Sequence, residues 1–403
     1  MPPFRFLLSA DHTPVAPGTP LWEAPLPTSR GAAGGGAPAS EDGAPISCGA
    51  YFSALEEALA ADDCAVICEA MAGITQPSPG APRTPKGADR LDRVEIQLLK
   101  HGHFYHPARL VVHADGVAHP LALNAALSPD GIAQLPKETA ALDALASQAG
   151  LDSVPRVLAQ GDCISPDGRG WRWFLAPWFE GFHEFHLTRV GDGGQAVVVW
   201  NGAADTDPTL LDAAQTDALL EGAARILTTA FNPHTLAHIF PWHHAAGDFV
   251  LRLGADGRPR VRLITVRDYQ PLLPPAEDNG EEDAFLERLL YALLLLVVQA
   301  ALRLRVDRLD GVGEVAVHPP RVVAAICRGF RDGITAMCQR WGLPVDLELP
   351  VMAYLGTPSL DDLSQLSAAV YGGFALESPE RQAFAPYFDA HVKVLHARLQ
   401  DMG

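Results

Sequence analysis

The amino-acid sequence predicts an α+β fold in which β-strands come first and helices follow. Stretches rich in β-branched and aromatic residues, bounded by Gly and Pro, occupy residues 94–179, whereas apolar residues recur at helical spacing from residue 211 onwards. Strands followed by helices are typical of α+β proteins, and strict alternation of the two would instead favour a parallel sheet. The 403 residues exceed what one hydrophobic core usually serves, so we expect two domains.

The N-terminal segment, residues 1–46, has a different composition from the rest. Its residues 12–46 are rich in Pro, Ala, Gly and Ser, as in PVAPGTP and RGAAGGGAPAS. Such a composition buries too little apolar area to offset the entropy lost on ordering. We therefore predict that residues 1–46 form a flexible segment in front of the folded domains.

The first predicted domain, residues 47–180, combines strands with two helices. Apolar residues at helical spacing predict a helix over residues 51–71, and Pro136 and Glu138 suit the first turn of a second helix, 136–148. The predicted strands are residues 94–102, 108–116, 117–128 and 171–179. This pattern predicts a small antiparallel, β-rich domain with one main helix.

The second predicted domain, residues 181–403, is mostly helical. Its predicted helices are residues 211–231, 284–305 and 320–341, and the apolar run within the second of these predicts a helix buried on nearly all sides. Between the first two helices, residues 247–269 form two strand-like runs joined by a Gly-Ala-Asp-Gly turn, which predicts a β-hairpin.

Charge, apolar runs and cysteine content narrow the classes of partner. The formal net charge of −18 repels phosphate backbones, so we expect no nucleic-acid partner and favour a small substrate, which would be a cation rather than an anion if it carries charge. The apolar run 289–302 is shorter than the ~20 residues needed to cross a bilayer, so no membrane partner is expected. Six cysteines without paired spacing and an N-terminus without a signal-peptide pattern favour a cytoplasmic location.

A local signature accompanies the predicted hairpin. The run His-His-Ala-Ala-Gly-Asp-Phe ends at Asp248 and Phe249, and Leu-Ile-Thr-Val-Arg-Asp-Tyr, residues 263–269, follows the second strand. Over residues 94–305 this order resembles the protein-kinase-like superfamily, in particular its aminoglycoside phosphotransferase and choline kinase branch. The resemblance implies a two-lobed fold and transfer of a phosphoryl group from ATP to a small hydroxyl-bearing molecule.

The resemblance also implies roles for individual residues of the hairpin. Asp248 takes the catalytic position, with His243 and His244 beside it, because a carboxylate must hold the acceptor hydroxyl in line with the γ-phosphate. Thr265 takes the position of the second, Mg²⁺-binding aspartate of the family, and Asp268 lies three residues later. Mg²⁺ prefers hard oxygen ligands, so both are candidate metal ligands.

Candidate nucleotide contacts lie in the first domain. The family pairs a strand lysine with a helix glutamate so that the lysine reaches the phosphates. Glu138 suits the helix position, Asn124 stands on the third strand where the lysine is expected, and Lys100 is the nearby substitute. Trp178 and Glu180 fall at the hinge segment that would hold the adenine.

Two alternative functions stay open on the same residues. The family's metal-binding Asn falls near Arg252, Thr265 replaces the second aspartate and the third strand has no lysine, as expected of a catalytically inactive, pseudokinase-like binding or scaffold protein. A His-ligated metal protein is the other alternative, since imidazole binds Zn, Fe, Cu and Ni. Its candidate ligands are His101, His103, His106, His183, His186, His243 and His244. The sequence leaves the oligomeric state open.

Overall fold

The computed structural model describes residues 1–8, 12–27, 45–74, 91–99, 104–146, 151–191, 193–200, 208–242, 247–274, 282–311, 313–373 and 378–403. Helices and strands are mixed in the α+β manner, and the N-terminal part carries a mostly antiparallel sheet, which confirms the predicted fold class at that level. The chain divides into two compact units. The first comprises Met1–Asp143 and Pro155–Glu180, and the second comprises Ala144–Val154 and Gly181–Gly403.

A seven-stranded sheet forms the centre of the first unit. Its strands are β1 (Phe4–Leu8), β2 (Thr13–Val15), β3 (Leu91–Leu98), β4 (His106–Ala114), β5 (Val117–Ala126), β6 (Ala159–Ile164) and β7 (Gly170–Pro177). Their order across the sheet is β2-β1-β3-β4-β5-β7-β6. All neighbouring pairs are antiparallel except β1 and β3, which run parallel with Phe6 opposite Ile96.

Part of the segment predicted to be flexible belongs to this sheet. Phe6 and Val15 are buried, and β1 is a central strand hydrogen-bonded on both edges. The composition of residues 1–46 does not indicate this strand, because its five residues are few beside the Pro- and Gly-rich residues that follow. Its partner β3 also begins more than eighty residues later in the sequence. Residues 9–11 and 28–44 lie outside the described part of the chain.

Three helices accompany the sheet: α1 (Pro20–Glu23), α2 (Cys48–Ile74) and α3 (Pro129–Ala146). The apolar face of α2 packs on the sheet, since Phe52, Leu55 and Ile67 belong to the same buried cluster as Ile96 and Trp171. The predicted second helix begins earlier than expected, so that Pro136 lies inside α3.

In the second unit, short strand pairs lie among helices. The strands are β8 (Glu184–Val190), β9 (Gly194–Trp200), β10 (Thr209–Leu211), β11 (Ala237–Ile239), β12 (Phe249–Leu253), β13 (Pro259–Leu263), β14 (Tyr269–Pro271), β15 (Val306–Arg308) and β16 (Val315–Val317). The helices are α4 (Ala213–Thr229), α5 (Glu282–Arg303), α6 (Val322–Trp341), α7 (Glu348–Leu355), α8 (Leu360–Gly372), α9 (Pro379–Phe384) and α10 (Phe388–Met402). The predicted hairpin is present as the antiparallel pair β12 and β13. The antiparallel sheet β8-β9-β10 was not predicted.

The apolar run of helix α5, residues 289–302, is buried over most of its length, as its sequence predicts, and Leu293, Val297 and Ala301 are fully buried. Large apolar side chains at its N-terminal end reach solvent, with exposures of 41% for Phe285, 37% for Leu286 and 41% for Tyr291. Phe285–Arg303 is long and apolar enough to cross a membrane, and 56% of that window is buried inside the structure. A core helix of a soluble protein meets the same criterion, so this helix is weak evidence for a membrane span.

Candidate functional site

The β12–β13 hairpin places the predicted catalytic residue at its open end. Phe249 pairs with Leu263, and the backbone amide of Ile264 donates to the carbonyl oxygen of Asp248 at 2.8 Å. The pairing therefore continues one residue beyond the strands. Gly247, just before Asp248, has φ +74°, a conformation that glycine adopts without steric cost. Asp248 thus lies opposite the segment that contains Thr265 and Asp268.

Asp248 forms a buried ion pair that the sequence did not predict. Its Oδ1 accepts a hydrogen bond from Nη2 of Arg267 at 2.7 Å. The carboxylate side chain is 2% exposed, whereas the arginine side chain is 22% exposed. A carboxylate that leaves water needs a charged or hydrogen-bonding partner, and Arg267 is one. Arg267 is therefore the member of this pair whose side chain reaches solvent.

The two candidate metal ligands lie beside this pair. Thr265 and Asp268 are both half-buried. Oδ1 of Asp268 accepts from the backbone amide of Tyr269 at 2.8 Å, and its carbonyl oxygen accepts from the amide of Phe240 at 3.2 Å. These bonds fix the backbone on both sides of the Asp268 carboxylate.

A stack of His238, Phe240 and Arg303 adjoins Asp268. Nδ1 of His238 donates to the carbonyl oxygen of Gln270 at 3.0 Å, and the His238 ring stacks on Phe240 with centroids 5.6 Å apart. The guanidinium of Arg303 lies 4.7 Å from the centroid of Phe240. Burial lowers the pKa of His238, and the nearby Asp268 carboxylate acts in the opposite direction. Burial also lowers the pKa of Arg303 to about 10.

Sequence reasoning missed most of these neighbours. We name the whole group the hairpin cluster: His238, Phe240, Asp248, Arg267, Asp268 and Arg303. Arg303 comes from the end of α5, where arginines are expected simply to complement the helix dipole. Among the members that were missed, His238, Phe240, Arg267 and Arg303, a sequence signal exists for Arg267, since it directly precedes Asp268 after an apolar strand.

The hairpin cluster has the chemistry to bind an anion and, with it, a hard cation. Guanidinium groups bind phosphate and carboxylate oxygens through paired hydrogen bonds. Within the described residues, no group of three or more His, Cys, Asp or Glu could hold a metal ion. Mg²⁺ needs only one or two carboxylates when substrate phosphates and water complete its shell, and Asp268 fits that mode.

The predicted helix glutamate lies in the first unit and is deeply buried. Glu138, on α3, is 1% exposed, and its Oε2 accepts from the hydroxyl of Tyr105 at 2.8 Å. Lys100, the predicted partner of Glu138 at the phosphates, lies outside the described residues. Asn124 is half-buried on β5, in register with Pro107 of β4 and Phe174 of β7.

Arg109 links the two residues predicted to hold the adenine. Its guanidinium lies 5.7 Å from the ring centroid of Trp178, and its Nη2 is 3.0 Å from Oε2 of Glu180. A guanidinium over an indole face is a favourable arrangement in itself. Sequence reasoning missed Arg109, which β4 brings to this position from about seventy residues earlier.

The described candidate histidines have local partners of their own. The backbone of His183 bonds to that of Leu251, with N–O distances of 2.8 and 2.9 Å. Nδ1 of His186 lies 3.7 Å from Oδ1 of Asp307, whose other oxygen accepts from the backbone amide of Leu187 at 2.8 Å. His106, in the first unit, is 3% exposed. The remaining candidates, His101, His103, His243 and His244, lie outside the described residues.

The structure therefore brings Asp248, Thr265 and Asp268 to one end of one hairpin. It places Asn124, Glu138, Trp178 and Glu180 in the other unit. No protein-family model matches the chain, and no curated protein matches it.

Proposed function

We propose that this protein is a divergent, two-lobed, kinase-like phosphotransferase that moves a phosphoryl group from ATP to a small hydroxyl-bearing molecule. One observation supports this most directly. A half-buried carboxylate, Asp268, adjoins an arginine, Arg267, whose guanidinium is held by a buried carboxylate. Phosphoryl transfer consists mainly of positioning and charge stabilisation, for which adjacent carboxylate and guanidinium groups are suited.

Asp268 is the residue that would hold Mg²⁺, with Thr265 beside it. When bound, Mg²⁺ would neutralise charge on the phosphate oxygens of the nucleotide. Arg267 and Arg303 supply fixed positive charge at the same place, and the Arg303 side chain stacks on Phe240. The resemblance gives Asp248 the acceptor-orienting role, with His243 and His244 near it in sequence.

The resemblance implies further nucleotide contacts from Trp178, Glu180, Lys100, Glu138 and Asn124. Trp178 would stack on the adenine, with Glu180 at its edge and Arg109 holding both side chains. Lys100, with Glu138 and Asn124, would address the phosphates. A cytoplasmic setting and a small-molecule acceptor belong to the same proposal, and the acidic net charge of −18 argues against nucleic-acid and anionic membrane partners.

Calorimetric titration with ATP, in the presence and absence of Mg²⁺, tests the proposal. We expect Mg²⁺-dependent ATP binding, weakened roughly tenfold or more by Asp268→Asn because the amide removes the charged oxygen that Mg²⁺ prefers. Release of ADP in the presence of pooled small alcohols should fall in the same variant. Asp256→Asn is the matched control, since Asp256 is an exposed residue in the turn of the same hairpin.

If millimolar ATP with Mg²⁺ produces no heat of binding and no ADP, the protein is not an ATP-dependent phosphotransferase. If binding is present but Asp268→Asn and Asp256→Asn behave alike, the metal role assigned to Asp268 is wrong.

The burial of Asp248 favours a second candidate, a binding protein without catalysis. A carboxylate 2% exposed and paired with Arg267 is shielded from an acceptor hydroxyl. This candidate predicts that ATP binds without turnover, and that Asp248→Ala leaves the rate of ADP formation at background. ATP turnover that disappears in Asp248→Ala would decide in favour of the phosphotransferase.

A further inference from the structure

The Asp248–Arg267 pair is asymmetric in its access to solvent. The side chain of Asp248 is 2% exposed and that of Arg267 is 22% exposed, although the two are joined by a hydrogen bond of 2.7 Å. A ligand approaching from solvent therefore reaches the Arg267 side chain before the Asp248 carboxylate. The carboxylate lies behind it and bonds to one of its terminal nitrogens.

In this arrangement the Asp248 carboxylate holds the Arg267 guanidinium in place. The arginine side chain has several rotatable bonds, and restricting them costs conformational entropy. A guanidinium that is already held in place binds an anion more tightly, because this entropy is lost on folding and not on binding. The backbone of Asp248 is itself fixed, because its carbonyl oxygen accepts from Ile264 at 2.8 Å. The anchor is thus part of the hairpin.

We propose that Arg267 binds a phosphate group of the ligand and that Asp248 is a positioning residue that holds the Arg267 guanidinium. The sequence resemblance implies that Asp248 contacts the ligand, whereas here Arg267 makes the charged contact. It rests on the proposed function only in naming ATP as a source of the phosphate. The acidic net charge of −18 describes the whole chain, whereas this local group presents a cation.

The experiment is calorimetric titration of the full chain with two ligands, ATP with Mg²⁺ and inorganic pyrophosphate with Mg²⁺. The variants are Arg267→Gln, Arg267→Lys and Asp248→Asn. Arg260→Gln is the matched control, because Arg260 is an exposed arginine on strand β13 of the same hairpin and its loss removes the same charge. Thermal unfolding of each variant establishes the fraction folded at the titration temperature.

We expect Arg267→Gln to raise Kd for both ligands roughly tenfold or more, since the neutral amide removes a charge-assisted hydrogen bond to the phosphate. Arg267→Lys keeps the charge but loses the planar fork, so its Kd should lie between those of wild type and Arg267→Gln. Asp248→Asn should also raise Kd, because the guanidinium loses its anchor. Arg260→Gln should bind as wild type does.

Two results would overturn the proposal. An ion pair that only stabilises the hairpin would lower the unfolding temperature of Arg267→Gln and Arg267→Lys without changing Kd per folded molecule. A Kd that falls or stays the same in Asp248→Asn would show that Asp248 neutralises Arg267 rather than positioning it. If Arg267→Gln does not fold, Arg267→Lys decides the first point.

The two ligands separate this proposal from the phosphotransferase. Pyrophosphate binding that depends on Arg267, without ATP turnover, would support the anion site and reject the enzyme. ATP turnover and binding that are unchanged in Arg267→Gln would support the enzyme and reject the anion site. Absence of binding to either ligand would reject both.

Discussion

Arg305 and His391 form a fully buried polar pair in the second unit. Arg305 is 1% exposed and His391 is 0% exposed, and Nη1 of Arg305 donates to Nδ1 of His391 at 3.0 Å. Nε of Arg305 donates to the carbonyl oxygen of His318 at 3.0 Å, and its guanidinium lies 5.2 Å from the ring centroid of Phe384. Because Nδ1 of His391 accepts from a cation, the imidazole must be neutral.

The pH dependence of stability follows from this pair. Burial, with Arg305 adding to it, lowers the pKa of His391 to about 3. Between an ordinary histidine pKa near 6.5 and that value, the unfolded chain binds a proton that the folded chain does not, so stability falls as the pH falls. We expect this residue to remove roughly 1.4 kcal/mol of unfolding free energy per pH unit in that window. Urea unfolding at pH 7 and pH 5 measures it.

His391→Gln isolates the contribution of that residue, because the amide oxygen can still accept from Arg305 and does not titrate. The loss of stability between pH 7 and pH 5 should be smaller in His391→Gln than in wild type by about 2 kcal/mol. His396→Gln, a half-buried histidine on the same helix α10, is the control. Equal pH slopes in wild type and His391→Gln would contradict the assignment.

At the scale of elements, helices α4 and α6 approach each other through glycines. A Cβ at Gly329 would lie 2.0 Å from the carbonyl oxygen of Glu221, and one at Gly333 would lie 2.5 Å from Cβ of Thr228. Both contacts are shorter than atoms can tolerate. The two glycines are four residues apart, so they lie on the same face of α6 and allow close contact along it.

Gly329→Ala should therefore destabilise the second unit although alanine is the better helix former. The clash is with backbone, which cannot rotate away, and overpacking of this kind costs about 1–3 kcal/mol. Gly372→Ala in α8 is the control, because a Cβ there meets nothing within 4 Å. We expect a lower denaturation midpoint for Gly329→Ala and an unchanged or higher one for Gly372→Ala. A Gly329→Ala midpoint equal to that of wild type would mean that the helices lie further apart.

Helix α2 contains a left-handed break. Asp62, Asp63 and Cys64 have φ values of 47°, 60° and 59°, a region that L-residues other than Asn and Asp seldom occupy. Asp63→Gly should stabilise the protein by about 0.5–1 kcal/mol, because glycine adopts this conformation without steric cost. Glu57→Gly, at an exposed position in the regular part of α2, should instead lower stability by about 1 kcal/mol. Thermal unfolding of the two variants tests whether residues 62–64 adopt the left-handed conformation. A loss of stability in both variants would contradict that conformation.

Across the whole molecule, the strongly periodic elements were predictable from sequence. Three of the four strands expected between residues 94 and 179 correspond to β3, β4 and β5 with shifts of a few residues, and the fourth corresponds to β7. Their alternation and their Gly and Pro boundaries are local properties. Strand β1 was missed because its assignment depends on parallel pairing with β3, which no pattern within five residues can indicate. Strands β8 and β9 were also missed, although a turn signal, Gly-Asp-Gly-Gly at residues 191–194, lies between their apolar residues.

The candidate site was predictable only along the hairpin. Asp248, Thr265 and Asp268 are close because a tight turn brings neighbouring strands together, and such a turn is readable from a few residues. The partner of Asp248 was not foreseen, since the ion pair with Arg267 depends on side-chain direction beyond the last strand residue. His238, Phe240 and Arg303 come from separate elements and carry no shared motif.

Local residue patterns were thus enough for the α+β class, the order of the main elements and the hairpin that carries Asp248. The tertiary structure added β1 to the sheet, left Phe285 and Leu286 exposed at the start of α5 and paired Asp248 with Arg267. The reason is that propensity, turns and periodicity act over a few neighbouring residues, whereas burial and ion pairing depend on groups that are distant in sequence.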